Sequence, residues 1–140
     1  MVKLYKNFNI NYHHKNSIIL IGNFDGLHLG HQKLFKLALS YKKKYNSKIG
    51  VINFDPMPKM YFNNSLKNFK ISSVNQKLEL LKELKVDFII TKRFDKNFSK
   101  IKSIKFIKEI LYKKLNCKFI FVSNNFRFGN KREGDVKLLI

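Results

Sequence analysis

The stretch IILIGNFDGLHLGH, residues 18–31, decides the fold that this chain is expected to adopt. An unbroken apolar run, Ile18 to Ile21, ends at Gly22, a turn-rich NFDG segment follows, and a helical pattern begins after two histidines. This order predicts a strand, a tight loop and a helix N-terminus, the junction at which a parallel βαβ unit presents its chemistry. Because a helix start offers free N–H groups, we expect the junction to bind a phosphate.

His28 and His31 are the candidate catalytic residues of this junction. Histidines at positions i and i+3 of a first helical turn lie on one side of the helix, near the positive end of its dipole, and can face a polyanionic ligand. Gly30 between them lets the ligand approach the backbone. A pattern this short also arises by chance, so the motif alone leaves open a plain turn with solvated imidazoles.

Length and charge set the class of protein. The chain has 140 residues, which predicts a single domain over residues 1–140. Of its 29 basic residues only Arg93, Arg127 and Arg132 are arginine, so lysine dominates the formal net charge of +20. The lysines fall on the expected exposed positions of every helix, whereas nucleic-acid-binding surfaces usually concentrate basic residues on one face. We therefore expect no specific nucleic-acid partner, although the charge favours encounter with phosphorylated small molecules.

The cysteine content and the apolar runs indicate the compartment. Cys117 is the sole cysteine, which excludes a disulfide framework and a thiolate metal cluster and indicates a reducing environment. No apolar run resembles a signal peptide or approaches the roughly 18 residues of a membrane span. We expect a cytoplasmic protein with no membrane partner. His13 and His14 are interpreted as part of a surface lead-in, because they lack nearby acidic or cysteine companions for a metal.

Hydrophobic patterns predict four strands that alternate with helices. The predicted strands are 18–21, 48–54, 86–91 and 118–122. The predicted helices begin after residue 31, at 74, at 101 and at Gly134-Asp135, and 93–100 is expected to be a loop. Near-continuous apolar strands are typical of a parallel sheet covered on both faces. The pattern therefore predicts an α/β fold whose site lies at the carboxyl ends of the strands.

Two further loops follow predicted strands and would reach the same edge of the sheet. Phe54 leads into Asp55-Pro56-Met57-Pro58, where two prolines forbid a helix and give a stiff, apolar loop suited to a flat ligand. Residues 123–129, SNNFRFG, combine amides, aromatic rings and an arginine, a mixture able to hold an aromatic ligand and an anion together. Each loop alone is also compatible with an ordinary connection.

Three motifs in order, IGNFDGLHLGH, INFDPMP and VSNNFRFGNKREGD, resemble the adenylyltransferase domain of the prokaryotic bifunctional riboflavin kinase/FMN adenylyltransferase family, also called FAD synthetase. The resemblance runs from about Ile18 to the last residue. It implies an HxGH-type nucleotidyltransferase with a Rossmann-like parallel sheet flanked by helices. It also implies that FMN and ATP, with Mg²⁺, are converted to FAD and pyrophosphate.

The resemblance implies roles for individual residues as well. His28 and His31 match the family's catalytic histidines, which act on the ATP phosphates. The implied ATP-binding positions are Gly22, Asn23, Phe24, Asp25, Gly26, His28, Gly30 and His31. The implied flavin-binding positions are Phe54, Pro56, Met57, Pro58, Asn125, Phe126 and Arg127. No residue is assigned to a metal.

The chain departs from the family pattern at three points. Met57 stands where the family usually has histidine, and Ser123 where it usually has glycine. No counterpart of the family's ISSTxIR-like segment precedes Ile140, and the riboflavin kinase domain is absent, so we expect a C-terminally incomplete part of a longer protein. Two alternatives stay open: a flavin- or nucleotide-binding module without turnover, and a related HxGH nucleotidyltransferase with another phosphate acceptor.

Overall fold

The computed structural model describes residues 2–22, 29–55, 82–122 and 134. Within them lie five strands: β1 (Lys3–Tyr5), β2 (Ile18–Ile21), β3 (Ile49–Asp55), β4 (Phe88–Arg93) and β5 (Phe119–Phe121). All the strands pair in parallel in one sheet, in the order β1-β4-β3-β2-β5. The expected α/β class and parallel sheet are confirmed.

Helices of several kinds connect these strands. They are a 3₁₀ helix (Tyr12–His14), α1 (Leu29–Tyr45), α2 (Lys96–Ser99) and α3 (Ser103–Lys105), which continues as a π-helical segment (Phe106–Lys114). The π-helical segment ends with a bond of 3.0 Å from Leu115 N to Ile110 O. The helix predicted to begin at residue 74 lies outside the described residues, except that Lys82 and Glu83 are helical.

Besides the 3₁₀ helix, two elements were missing from the sequence-based expectation. Residues 3–5 form the edge strand β1, tied to β4 in part by Lys3 N donating to Asp87 O at 3.0 Å. The expected loop 93–100 contains α2, whose first turn is capped by Asp95, since its Oδ1 accepts from Phe98 N at 2.8 Å. Both elements are too short for a hydrophobic period to reveal them.

The two faces of the sheet carry separate hydrophobic clusters. On one face α1 inserts Phe35 and Ala38, both fully buried, against the side chains of β2 and β3. On the other face the π-helical segment contributes buried side chains, notably Phe106, Ile110 and Leu111. Alternate strand residues therefore enter opposite cores, as expected for a parallel sheet covered on both sides.

At the amino edge of the sheet, the interpretation of His14 as part of a surface lead-in is wrong. Its side chain is 7% exposed, and its ring stacks on Phe88 with centroids 4.6 Å apart. Tyr5 Oη lies 2.6 Å from His14 Nδ1. The ring of Phe88 also lies over Gly50, its register partner on β3, where a Cβ would clash with it. Between β1 and β2, Phe8, Ile10 and His14 thus belong to the core, whereas His13 is exposed.

Candidate functional site

The strand order makes β2 the point at which the sheet changes direction. From β2 the chain proceeds to β3 and then β4 on one side, and it returns to place β5 on the other side of β2. Where the strand order of an open parallel sheet reverses, a crevice opens outside the carboxyl ends of the strands. The described part of the sheet therefore has its expected ligand crevice at the end of β2.

The three sequence motifs depart from neighbouring strands at this edge. Residues 23–28 follow β2, the Pro56-Met57-Pro58 segment follows β3, and residues 123–129 follow β5 after Val122. Ile21 pairs with Ile52 of β3, and Leu20 pairs with Phe121 of β5. Because adjacent strands lie about 5 Å apart, the three departures span about 10 Å, which is comparable with a nucleotide.

Three of the proposed ATP-binding residues lie in described backbone. Gly22 N donates to Ile52 O at 3.0 Å, and Gly22 has a φ of 157°, which residues with a Cβ rarely adopt. Gly30 and His31 lie in the first turn of α1, a helix of 17 residues with no acidic residue in that turn. The positive end of this helix is therefore not neutralised by carboxylates of its own first turn.

Other predicted site residues lie outside the described residues. These are His28, Asn23, Phe24, Asp25 and Gly26 of the first motif; Pro56, Met57 and Pro58 of the second; and Asn125, Phe126 and Arg127 of the third. Their roles stay predictions. The structure describes the strands that these three segments follow, namely β2, β3 and β5.

Phe54, the one described residue of the predicted flavin set, belongs to a triangle of aromatic rings. Its ring centroid lies 5.9 Å from that of Phe94 and 5.4 Å from that of Phe98. The rings of Phe94 and Phe98 are 5.9 Å apart. All three side chains are half-buried. Sequence reasoning missed Phe94 and Phe98, because their proximity to Phe54 depends on the pairing of β3 with β4.

Asn53 is a second residue that the sequence analysis passed over. It lies at the carboxyl end of β3 and is 8% exposed. A polar residue inside the apolar run GVINF is the sequence feature that could have drawn attention to it, because amides are seldom buried without a reason. Asn53 pairs in register with Thr91 of β4.

The titratable groups of the described residues indicate no metal centre and no reactive thiol. Within residues 2–22, 29–55, 82–122 and 134, no group of three His, Cys, Asp or Glu side chains could hold a metal ion. Burial raises the pKa of the Cys117 thiol to about 12. Since the thiolate is the reactive form, Cys117 is inert near neutral pH.

Comparison with known proteins identifies the family. The sequence model of FAD synthetase matches residues 10–140. The chain belongs to the FAD synthetase family. The resemblance stated from the three motifs is thereby confirmed.

Two curated relatives illustrate the match to the FAD synthetase family. The bifunctional riboflavin kinase/FMN adenylyltransferase of Buchnera aphidicola subsp. Schizaphis graminum is 42% identical over 124 residues, covering 89% of this chain and 40% of that protein. The enzyme of the same name from Escherichia coli (strain K12) is 37% identical over 122 residues, covering 87% of this chain and 39% of that protein. The chain thus spans about 40% of the length of these relatives.

A solved structure supports the fold. The crystal structure named as a macrolide-efflux protein from Streptococcus pneumoniae superposes with a TM-score of 0.84 at 24% identity, covering 99% of this chain and 45% of that chain. At this identity the likeness concerns the fold alone. Among the described residues, no helix has the length and apolar character needed to cross a membrane.

Proposed function

We propose that residues 1–140 form an FMN adenylyltransferase domain, which transfers AMP from ATP to FMN and releases pyrophosphate. The junction of β2 and α1 carries the proposal. An H-x-G-H sequence leads into α1 there, and it follows β2, the strand at which the order of the sheet reverses. The names of the two curated relatives add support, because both include FMN adenylyltransferase.

The proposed reaction is a single in-line displacement. A phosphate oxygen of FMN attacks the α-phosphorus of ATP, a new P–O bond forms, and the bond from the α-phosphorus to the bridging oxygen breaks. The electron pair of that bond leaves with pyrophosphate. His28 and His31, with the N–H groups at the start of α1, would stabilise the negative charge that gathers on the phosphate oxygens. No covalent enzyme intermediate is needed.

The two substrates would meet at the end of β2, ATP at the start of α1 and the flavin against the segments that follow β3 and β5. ATP would contact Gly22 to Gly26 and the residues from His28 to His31, since these flank the helix start. The flavin would contact Phe54 and the rigid Pro56-Met57-Pro58 segment on the β3 side, with Asn125 to Arg127 closing from the β5 side. The adjacency of β3, β2 and β5 supports this division, because it brings all three departures to one crevice.

Magnesium enters the proposal only as the counter-ion of ATP. The described residues offer no cluster of three metal-ligating side chains, so they do not fit a dedicated metal cage. Mg²⁺ bound mainly by substrate phosphates and water is the usual arrangement in phosphoryl-transfer sites. No step of the proposed reaction passes through a protein-held metal.

The cytoplasm is the proposed compartment. The chain has a single cysteine, Cys117, and hence no pair for an internal disulfide, and the proposed substrates ATP and FMN are intracellular small molecules. Fractionation of cells that express a tagged full-length protein would test the assignment. The tag should appear with the soluble cytosolic marker, and recovery with membranes after a high-salt wash would contradict it.

The histidine variants test the proposed function. In the full-length protein, His28→Ala and His31→Ala should each lower adenylyl transfer about a hundredfold, the usual effect of removing one group that stabilises transition-state charge. Pyrophosphate release with FMN and Mg-ATP measures the rate, and quenching of flavin fluorescence measures FMN binding, which should change little. His13→Ala, an exposed histidine at the opposite edge of the sheet, is the matched control. An unchanged rate in both site variants would refute the assignment.

A further inference from the structure

The side-chain amide of Asn53 is a buried polar group that the proposed function leaves unused. Asn53 is 8% exposed. Among residues 2–22, 29–55, 82–122 and 134, none forms a hydrogen bond with its side chain. Burying an amide without a partner destabilises a protein, so such a group calls for an explanation at the site where it occurs.

The amide of Asn53 lies on the face of the sheet that α1 covers. Ile49 and Val51 of the same strand pack in the cluster formed with Phe35 and Ala38 of α1. Side chains alternate along a strand, so Asn53, two residues beyond Val51, lies on that same face. Phe54 takes the opposite face and packs against the other cluster.

The described neighbours of Asn53 in the sheet are Gly22, at the end of β2, and Thr91 of β4. Ile52 is the register partner of Ile21, and its carbonyl accepts from Gly22 N at 3.0 Å. Gly22, which follows β2 and lies beside Asn53 when this register is extended by one residue, contributes no side chain next to the amide. On the other side Asn53 pairs with Thr91, which is half-buried. Asn53 therefore lies between Thr91 on the β4 side and, on the β2 side, a glycine at the point where the chain leaves β2.

We propose that Asn53 is a further substrate-binding residue, whose side-chain NH₂ donates a hydrogen bond to a phosphate oxygen of ATP or FMN. The identity of these substrates rests on the proposed function. In a right-handed β2-α1-β3 crossover, α1 begins at the carboxyl edge on the face that Asn53 shares. Under the proposed function the phosphates lie at the start of α1, on the face of the sheet that the amide of Asn53 shares.

The variant Asn53→Leu separates this role from a merely structural one. Leucine has the branching of asparagine and no polar atoms; it removes the unpaired buried amide but is larger, so the unliganded full-length protein should melt within a few degrees of the wild type. The kcat/KM for adenylyl transfer should nevertheless fall about tenfold to a hundredfold, the usual effect of losing a hydrogen bond to a charged group. A rise in KM for ATP alone assigns the contact to ATP, and a rise in KM for FMN alone assigns it to FMN.

Two more variants sharpen the test. Asn53→Asp keeps the shape and replaces the donor with a negative charge, so its kcat/KM should fall at least as far as that of Asn53→Leu. Thr91→Val removes a hydroxyl at the same level on the next strand, one strand farther from Gly22, and should leave kcat/KM unchanged. Wild-type kcat/KM for both substrates in Asn53→Leu, or an equal loss in Thr91→Val, would overturn the proposal.

Ligand-induced thermal shifts distinguish failure of this inference from failure of the proposed function. If the wild type makes no FAD, the proposed function is wrong. Stabilisation of the wild type by Mg-ATP, lost in Asn53→Leu, would then still support the phosphate contact. If the wild type makes FAD and Asn53→Leu matches it in rate and in thermal shift, the function stands and the inference about Asn53 is wrong.

Discussion

At the scale of single residues, a chain of hydrogen bonds determines the state of His14. Asn11 N donates to Tyr5 Oη at 3.1 Å. The hydroxyl hydrogen of Tyr5 is thus available for His14 Nδ1, 2.6 Å away. We assign Nδ1 as the acceptor, which makes His14 a neutral imidazole with its proton on Nε2. Protonation of Nδ1 would remove this acceptor and force the hydroxyl of Tyr5 to reorient.

The neutral state of His14 leads to a prediction about pH. Burial lowers the pKa of His14 below 6.5, as do the charges of His13, Lys48 and Lys3, while Asp87 opposes them. A folded-state pKa below the unfolded value gives stability that is complete above pH 6.5 and is lost as the pH falls below it. The melting temperature should therefore decline below pH 6.5, and His14→Gln should flatten this decline.

Thermal melts between pH 8 and pH 5 measure the effect of His14, with His13→Gln as the control. His13 is exposed, and removing it should leave most of the decline in place. If the melting temperature falls with pH equally in the wild type and in His14→Gln, groups other than His14 control the loss of stability at acidic pH.

At the scale of elements, the aromatic triangle links the core to the predicted flavin segment. Phe98 stacks on Phe8 with centroids 6.1 Å apart and meets Phe106 edge-on at 6.3 Å, and Phe8 and Phe106 are both buried. The Asp95 cap fixes the backbone of Phe98. Because Phe54 contacts both Phe98 and Phe94, its ring orientation depends on theirs. We infer that Phe94 acts as a positioning residue for Phe54.

A double-mutant cycle tests this dependence. Phe94→Leu should raise the KM for FMN about threefold to tenfold, the range expected for one aromatic pair, and should leave the KM for ATP unchanged. Phe94→Tyr, which keeps the ring, should restore the wild-type KM. In a Phe54→Leu background Phe94→Leu should have no further effect on the KM, whereas additive effects would mean that Phe94 acts independently of Phe54. Tyr45→Leu, which removes a ring at the opposite edge of the sheet, is the control.

Elements with a strong hydrophobic period could be predicted from the sequence, whereas elements that depend on strand pairing could not. The apolar run of β2 and the helical spacing after His31 gave the β2-α1 junction correctly. In contrast, β1 has only Lys3 to Tyr5, with two of its three residues exposed, so its register with β4 decides its existence. The burial of Asn53 likewise depends on neighbours from other strands, which no local pattern contains.

At the scale of the whole molecule, the order of the strands determines which motifs share a crevice. The sequence predicted that the three motifs reach one edge of a parallel sheet, but an edge five strands wide does not make them neighbours. The return of the chain to place β5 beside β2, rather than outside β4, brings the third motif next to the first. That choice depends on long-range packing, because no local pattern within a strand specifies which strand lies beside it.

The distribution of charge supports a last prediction, on polyanions. The net charge is +20, and exposed lysines lie on helices that cover opposite faces of the sheet, such as Lys36 and Lys43 of α1 and Lys108 and Lys114 of the π-helical segment. A charge spread over both faces favours weak, non-specific contact with nucleic acid, because no single basic face matches a groove.

Binding to two unrelated DNA duplexes should therefore be equal and should disappear at about 0.2–0.3 M salt. Fluorescence anisotropy over a salt series measures both properties. Lys36→Glu with Lys43→Glu should reduce the slope of log K against log salt by at most about two, since each phosphate contact contributes about 0.9. Adenylyl transfer should be unaffected in this variant, because its two lysines lie beyond the first turn of α1 and outside the proposed site. Sequence preference that survives at higher salt would instead indicate a dedicated nucleic-acid site, which the even spread of lysines argues against.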